Sequence, residues 1–250
     1  MTEPIGSSPT QARGLDVSHF QGTVAWPQVV QAGYAFAFIK ATDGITYVDP
    51  MFAANWAGAK AAGLLRGAYH FFEADDDPQQ QAENYLKTVS LEPGDLPPVL
   101  DVESSSTSSV VPTTTIIQHI AAWLQTVEQA SGCTPILYTG SSYWNSLATQ
   151  QFSAYPLWIA EYGVASPTLP LGWTTWAFWQ FTQSGEVSGI ATPVDLDLFQ
   201  GSLQDLQQMF SKAASSDAGV TTEPGPSART ARPAPVPAIR RGPHEQARPG

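Results

Sequence analysis

Eight short apolar runs, spread from Gly14 to Phe199, are the feature that most limits what this chain can fold into. GLDVS (14–18), YAFAFIKAT (34–42), LLRGAYHFF (64–72), PPVLDVE (97–103), PILYT (135–139), PLWIAEY (156–162), TTWAFWQF (174–181) and PVDLDLF (193–199) each read as a strand. Between the early runs lie stretches with helical character. DPMFAANWAGAKAAG opens with Asp49 as the expected N-cap and Pro50 at the first helical position, and DPQQQAENYLKTVS repeats that start with Asp77 and Pro78. In PTTTIIQHIAAWLQTVEQASG the residues Ile116, Ile117, Ile120, Trp123, Leu124 and Val127 mark one helix face, which ends at Gly132. Strand alternating with helix implies parallel strands joined by helical crossovers. After the sixth run the alternation stops: 163–173 has no helical period, and QSGEVSGIATP (183–193) reads as a hairpin connection. The expected fold is α/β, an irregular TIM-like barrel of about five β-α units followed by three strands.

Composition sets the borders of that barrel. Residues 1–13 read as a flexible N-terminus without the basic and apolar regions of a signal peptide, and 14–212 as the barrel domain. Residues 213–250 hold 7 of the 21 prolines, with Ala, Ser, Gly and Arg, and too few large apolar groups to offset the entropy of ordering. They read as a disordered Pro/Ala/Arg-rich tail. Charge divides at the same border: 1–212 carry 6 Lys and Arg against 19 Asp and Glu, whereas 213–250 carry 5 Arg against 3 acids. So acidic a body argues against nucleic acid as a partner, because phosphate would be repelled. No run approaches the ~20 apolar residues of a membrane span, and the single Cys133 excludes an internal disulfide. All 8 tryptophans lie in the body, a load that suits sugar stacking, although about half are expected simply to fill the core. A monomer is expected, with no cofactor and no metal.

In a β/α barrel the reactive groups sit at the C-terminal ends of the strands. Those ends carry Asp16 and Ser18; Lys40, Thr42 and Asp43; Tyr69 and His70; Asp101 and Glu103; Tyr138; Trp158, Glu161 and Tyr162; Trp179 and Gln180; and Asp195 with Asp197. Together they imply one acidic pocket lined by aromatic rings. The stretch LPPVLDVESSS (96–106) concentrates its chemistry: a buried strand runs into two acids separated by one valine. Residues i and i+2 of a strand face the same way, roughly 6.5–7 Å apart, so Asp101 and Glu103 both point into the barrel mouth. Two neighbouring carboxylates cannot ionise freely, and one holds its proton to higher pH. Glycoside hydrolysis needs that pairing: an acid to protonate the departing oxygen and a carboxylate to stabilise positive charge at the sugar carbon. Glu103, the outer of the two, is the expected acid and Asp101 its charged partner.

Other polar residues read more plainly. His70 has no second histidine at ligand spacing, so a hydrogen-bonded barrel histidine is expected rather than a metal ligand. Lys40 is expected to salt-bridge an acid such as Asp16. Asp75, Asp76 and Asp77 read as a solvated cap region. Glu161 does not share the strand face of Trp158, Ala160 and Tyr162.

Seven segments in order resemble the glycoside hydrolase family 25 lysozymes: DVSHFQG (16–22), FIKATDG (38–44), GAYHFF (67–72), LDVE (100–103), LWIAEYG (157–163), WQF (179–181) and VDLD (194–197). The similarity spans roughly Gly14 to Phe210, with Asp43 where the family usually has glutamate. It implies a flattened barrel of five β-α units plus three strands. It also implies hydrolysis of the β-1,4 bond between N-acetylmuramic acid and N-acetylglucosamine in bacterial peptidoglycan, at the cell wall outside the cell. On that resemblance Glu103 is the general acid/base, and Asp101 the carboxylate that helps the substrate's own N-acetyl group attack the sugar carbon with retention. Asp16 and Asp195 are the other two acids of the pocket, and Tyr138 and Trp158 sugar contacts. Tyr69, Lys40, Trp179 and Asp197 complete the residues expected to bind substrate. A chitinase-like hydrolase is the first competing reading, but it would carry a longer run of alternating aspartates before the glutamate. A non-catalytic glycan-binding protein would be expected to lack Asp101 or Glu103. A metal-dependent deacetylase finds little support in four scattered histidines.

Overall fold

A computed structural model of the chain describes residues 11–104 and 109–211. The expected tail (213–250) and residues 1–10 of the expected flexible N-terminus lie outside the described residues. Ala12 is buried, with its N–H donating to the Gly201 carbonyl at 2.8 Å, and the first strand begins at Arg13.

The strands are β1 (Arg13–Val17), β2 (Phe36–Asp43), β3 (Tyr47–Val48), β4 (Leu65–Phe71), β5 (Val99–Asp101), β6 (Ile136–Gly140), β7 (Leu157–Ala160), β8 (Phe178–Gly185) and β9 (Val194–Phe199). Parallel pairing runs from β1 through β2, β4, β5, β6 and β7 to β8. β9 then turns back antiparallel to β8 and pairs antiparallel with β1, which closes an eight-stranded barrel. A hairpin connects β8 to β9 as expected, but it is shorter than the expected 183–193 because β8 runs on to Gly185, whereas β3 is a short antiparallel addition to β2 that the apolar pattern does not announce.

Five helices follow the parallel strands: α1 (Trp26–Gln31), α2 (Phe52–Ala62), α3 (Pro78–Thr88), α4 (Thr113–Ser131) and α5 (Ser141–Leu147); α6 (Leu203–Ser211) ends the described chain. The helix starts follow local chemistry. Asp77 caps α3 by accepting from the N–H groups of Gln79 and Gln80, each at 3.0 Å, with Pro78 at the first helical position. The expected cap at Asp49 is displaced: α2 begins at Phe52 with Met51 as its N-cap. Asp49 instead accepts from the Met51 N–H (2.9 Å) and from His19, contacts that draw its carboxylate away from the helix end.

The pleat sorts side chains into two cores. Outward residues such as Leu15, Ala37, Ile39, Leu100, Val102, Leu137, Ile159 and Trp179 pack under the helices, where α4 contributes Ile116, Ile120, Trp123, Leu124 and Val127. Inward residues Phe36, Phe38, Val99, Ile136, Trp158, Phe178 and Phe199 fill the lower barrel. Phe38 stacks on Trp158 at 4.4 Å between ring centroids and meets Phe178 edge-on at 5.0 Å. Glycines make room for these rings: a Cβ on Gly14 would lie 2.2 Å from the Phe36 ring, and one on Gly67 2.6 Å from that of Phe38. Gly67→Ala is therefore expected to destabilise the barrel by roughly 1–3 kcal/mol, lowering the thermal midpoint by about 2–10 °C in a melting experiment. An unchanged midpoint would show that the aromatic plug yields.

Candidate active site

Above that plug the inward positions turn polar. Asp16 (β1), Lys40 (β2), Tyr69 (β4), Asp101 (β5), Tyr138 (β6), Trp158 (β7), Gln180 (β8) and Asp195 (β9) come from eight different strands. All reach one cleft made of two adjoining hollows of about 220 and 230 Å³. Both hollows share Asp16, Tyr69, Asp101, Glu103 and Asp195. One extends past Tyr138, Trp158, Tyr162, Gln180 and Gln183, the other past Ser18, Phe20, Gln21, Lys40 and Phe71.

Asp101 and Glu103 do share a face. Val102 between them is buried with the outer core, and its N–H donates to the Tyr138 carbonyl at 2.9 Å, so the alternation of β5 continues past Asp101. Asp101 is deep, and its Oδ1 is buried without a hydrogen-bond partner among the described residues. Burial, and then the charge of Glu103, push its pKa well above the ordinary carboxylate value. As a residue Glu103 is exposed, with its carboxyl in the cleft wall. Its pKa is raised by the crowding of that wall and by Asp195, against the pull of Lys40. The shift therefore has a different origin from the one expected: enclosure outweighs the single neighbouring anion.

Across the cleft lies a chain of acids. Asp16 Oδ2 accepts from Gln180 Nε2 at 2.7 Å, and Gln180 Oε1 accepts from the hydroxyls of Tyr138 (2.9 Å) and Tyr162 (2.6 Å). Asp16 is raised well above its ordinary value by burial and by Asp197 and Asp195; burial also lifts Asp195 to about 6, with a hydrogen bond from Asp16 opposing. Asp197 is buried beneath the cleft floor rather than on its wall, with Oδ1 accepting from Trp158 Nε1 at 2.9 Å. Burial and the charge of Asp195 raise its pKa too. Tyr69 and Tyr138 stay neutral donors, their pKa values pushed up chiefly by burial.

Two expected roles need correction. Trp179 faces outward into the helix-covered core and donates its indole N–H to the Glu161 carbonyl at 2.8 Å, away from the cleft. Phe178, Trp179 and Phe181 are all aromatic, so the pattern hid which face was which, and Gln180 took the inward position. Lys40 bonds Asp43 at 2.8 Å rather than Asp16, because the register slip between Lys40 and Thr42 brings the third residue along into reach. Its ammonium also lies over the Phe71 ring, 4.7 Å from the centroid.

His70 points outward, as a barrel histidine should. It bridges Thr42 Oγ1 (2.8 Å) and Gln81 Oε1 (3.0 Å), stacks on Trp123 and is kept neutral by burial, with a pKa near 4. Glu161 accepts from the Thr168 N–H outside the cleft. Of the eight tryptophans only Trp158 lines the cleft. No group of three or more His, Cys, Asp or Glu among the described residues is arranged to hold a metal ion.

Comparison with known proteins places this geometry. The sequence profile of the family "Glycosyl hydrolases family 25" matches residues 15–190. Lysozyme M1 of Streptomyces globisporus is 34% identical over 221 residues, covering 84% of this chain and 75% of the relative. The uncharacterized protein YegX of Escherichia coli (strain K12) is 38% identical over 199 residues, covering 78% of this chain and 71% of that protein. The crystal structure of the bacterial lysozyme from Streptomyces coelicolor superimposes with a TM-score of 0.78 at 34% identity, covering 82% of this chain and 100% of that one.

The acids make stability fall as pH rises. Asp195 ionises near 3.8 when unfolded and near 6 when folded, so between those values the folded state holds more protons and loses stability with rising pH. Asp16, Asp101 and Asp197 continue that loss to higher pH. His70 acts oppositely, but only between its folded value of about 4 and the ordinary 6.5. Above 6.5 the acids act alone. Asp197→Asn keeps an acceptor for Trp158 and removes one charge, so its melting midpoint at about pH 8 is expected to exceed that of the parent by about 3 °C or more, with a flatter pH slope. Parallel pH–melting curves would contradict this.

Proposed function

This chain belongs to glycosyl hydrolase family 25 and is a glycoside hydrolase, and we propose that it is an N-acetylmuramidase cutting the β-1,4 bond between N-acetylmuramic acid and N-acetylglucosamine in bacterial peptidoglycan. The observation that carries this reading is the pair at the end of β5: Asp101 with an unpartnered buried oxygen, and Glu103 above it in the same cleft. Both acids have raised pKa values, so the pair keeps a proton to higher pH than solvated carboxylates do. The N–H of a bound 2-acetamido group supplies the donor that Asp101 Oδ1 lacks, which stabilises Asp101 as the carboxylate and leaves the proton on Glu103.

The reaction follows from that arrangement. Glu103 gives its proton to the glycosidic oxygen as the C1–O bond breaks. Asp101 holds the acetamido N–H so that the amide oxygen forms the new bond to C1. The leaving sugar departs, and Glu103, now a carboxylate, takes a proton from the water that attacks C1 and opens the ring so formed. Two displacements at C1 give retention. Asp195, which ionises near 6, supplies negative potential beneath the developing positive charge, with Asp16 beside it held in place by Gln180. Trp158 and Tyr138 present ring surface to the sugar, and Tyr69 a hydroxyl.

A wall substrate puts the site of action outside the cell membrane. No helix among the described residues is long and apolar enough to cross one.

Glu103→Gln is expected to lower hydrolysis of bacterial walls by about 10²–10⁴-fold with the melting midpoint unchanged. Mass spectrometry of the parent's digest is expected to find the new reducing ends on muramic acid. Undiminished turnover by the variant would refute the acid assignment. Reducing ends on N-acetylglucosamine, or cleavage of chitin oligosaccharides in preference to walls, would refute the bond assignment.

A further inference from the structure

Phe20 is a feature the reaction above leaves unused. It is 74% exposed, against 41% for Tyr162, the other exposed aromatic of the cleft lining, and it borders the hollow that also holds Gln21, Lys40 and the acids Asp101 and Glu103. A lone exposed aromatic on a surface means little. This one stands at the edge of the candidate catalytic cleft, on a turn fixed by hydrogen bonds and with its ring against a neighbouring imidazole.

Its turn is tied at both ends. Ser18 Oγ accepts from the Phe20 N–H at 3.3 Å, the Ser18 N–H donates to Gln21 Oε1 at 2.9 Å, and Gln21 Nε2 reaches the Pro193 carbonyl at 3.2 Å, just before β9. One side of the Phe20 ring lies against His19, with centroids 4.1 Å apart. His19 is itself pinned: its backbone N–H (3.0 Å) and its ring Nδ1 (2.8 Å) both meet Oδ2 of the buried Asp49. The Tyr47 hydroxyl stands 3.2 Å from the same ring nitrogen. Ile45, Tyr47 and Val48, each partly exposed, extend apolar surface from that side. An exposed ring kept in one position loses little entropy when it is covered, which is what a stacking platform requires.

We propose that Phe20 is the stacking platform of a sugar subsite at this end of the cleft, taking the apolar face of a pyranose ring of the same glycan strand whose linkage lies at Asp101 and Glu103. The inference rests on the muramidase reading for the identity of the strand. Charge favours sugar over the peptide stem as occupant: this hollow is lined by Asp16, Asp101, Glu103 and Asp195 against a single ammonium, Lys40, already paired with Asp43. Stem carboxylates would meet no unpaired cation among the residues lining this hollow, whereas the C–H face of a neutral ring needs none.

The test uses Phe20→Ala and Phe20→Tyr in the full chain, each alone and in a Glu103→Gln background. Binding of peptide-free glycan strands to the Glu103→Gln protein is measured by calorimetry. Phe20→Ala is expected to weaken it by about 3–10-fold, and Phe20→Tyr to restore it. In the active enzyme the same loss is expected in KM rather than kcat. Equal affinity for Phe20→Ala and its parent overturns the subsite, while the Glu103→Gln result on walls still stands or falls by itself. A penalty seen only with peptide-bearing strands also overturns it, since the ring would then be contacting the stem.

Discussion

Carboxyl groups enclosed at the top of a closed barrel are the constraint on which the rest of this structure turns. Five acids, Asp16, Asp101, Glu103, Asp195 and Asp197, sit in or directly beneath one cleft, floored by a plug of aromatic rings that admits no compensating charge. Enclosure, more than mutual repulsion, is the leading cause of the raised pKa in each of the five. Asp16, Asp101 and Asp197 are buried away from the water that would stabilise their anions, and Asp195 and the more open Glu103 lose part of that hydration. Protons therefore stay on to higher pH than on solvated carboxylates. Such a site works against the stability of the folded chain at neutral pH and is suited to donating a proton there. Function and instability share one cause.

The barrel distributes that cause with little waste of geometry. Each strand places one inward residue at the mouth, and the hydrogen-bonded series Tyr138, Gln180, Asp16 fixes a carboxylate from β1 against side chains from β6 and β8. Lys40 opposes the raised pKa values from one side only. It lowers the pKa of both Asp101 and Glu103 while its own partner, Asp43, holds it at the rim.

Much of this was legible in the residues because two rules are stiff. Alternating strand and helix forces parallel pairing, and the i, i+2 spacing of Asp101 and Glu103 forces a shared face. What escaped reading involved softer choices. Trp179 and Gln180 exchange roles because every neighbour in AFWQF can be buried on either side, so hydrophobicity does not report the face. A register slip after Lys40 redirects its ammonium to Asp43, and no residue type signals that slip. The two-residue β3 is too short to carry a period, and Asp49 left its expected cap for His19 because a tertiary contact outbid a local one. Phe20 lies in the loop segment DVSHFQG, and an aromatic in a loop carries no sign of exposure until the turn is placed. Only Trp158 of the tryptophans reached the cleft, because large rings serve the two cores first.

The most direct measurement is carbon-detected NMR titration of the side-chain carboxyls, with Glu103→Gln and Asp101→Asn used to assign the two resonances. Enclosure predicts that the pair titrates above the ordinary carboxylate range, that Asp101 lies above Glu103, and that Asp101→Asn leaves most of the Glu103 shift in place. Ordinary titration of both groups would contradict the account, as would a Glu103 shift that vanishes when Asp101 is neutralised.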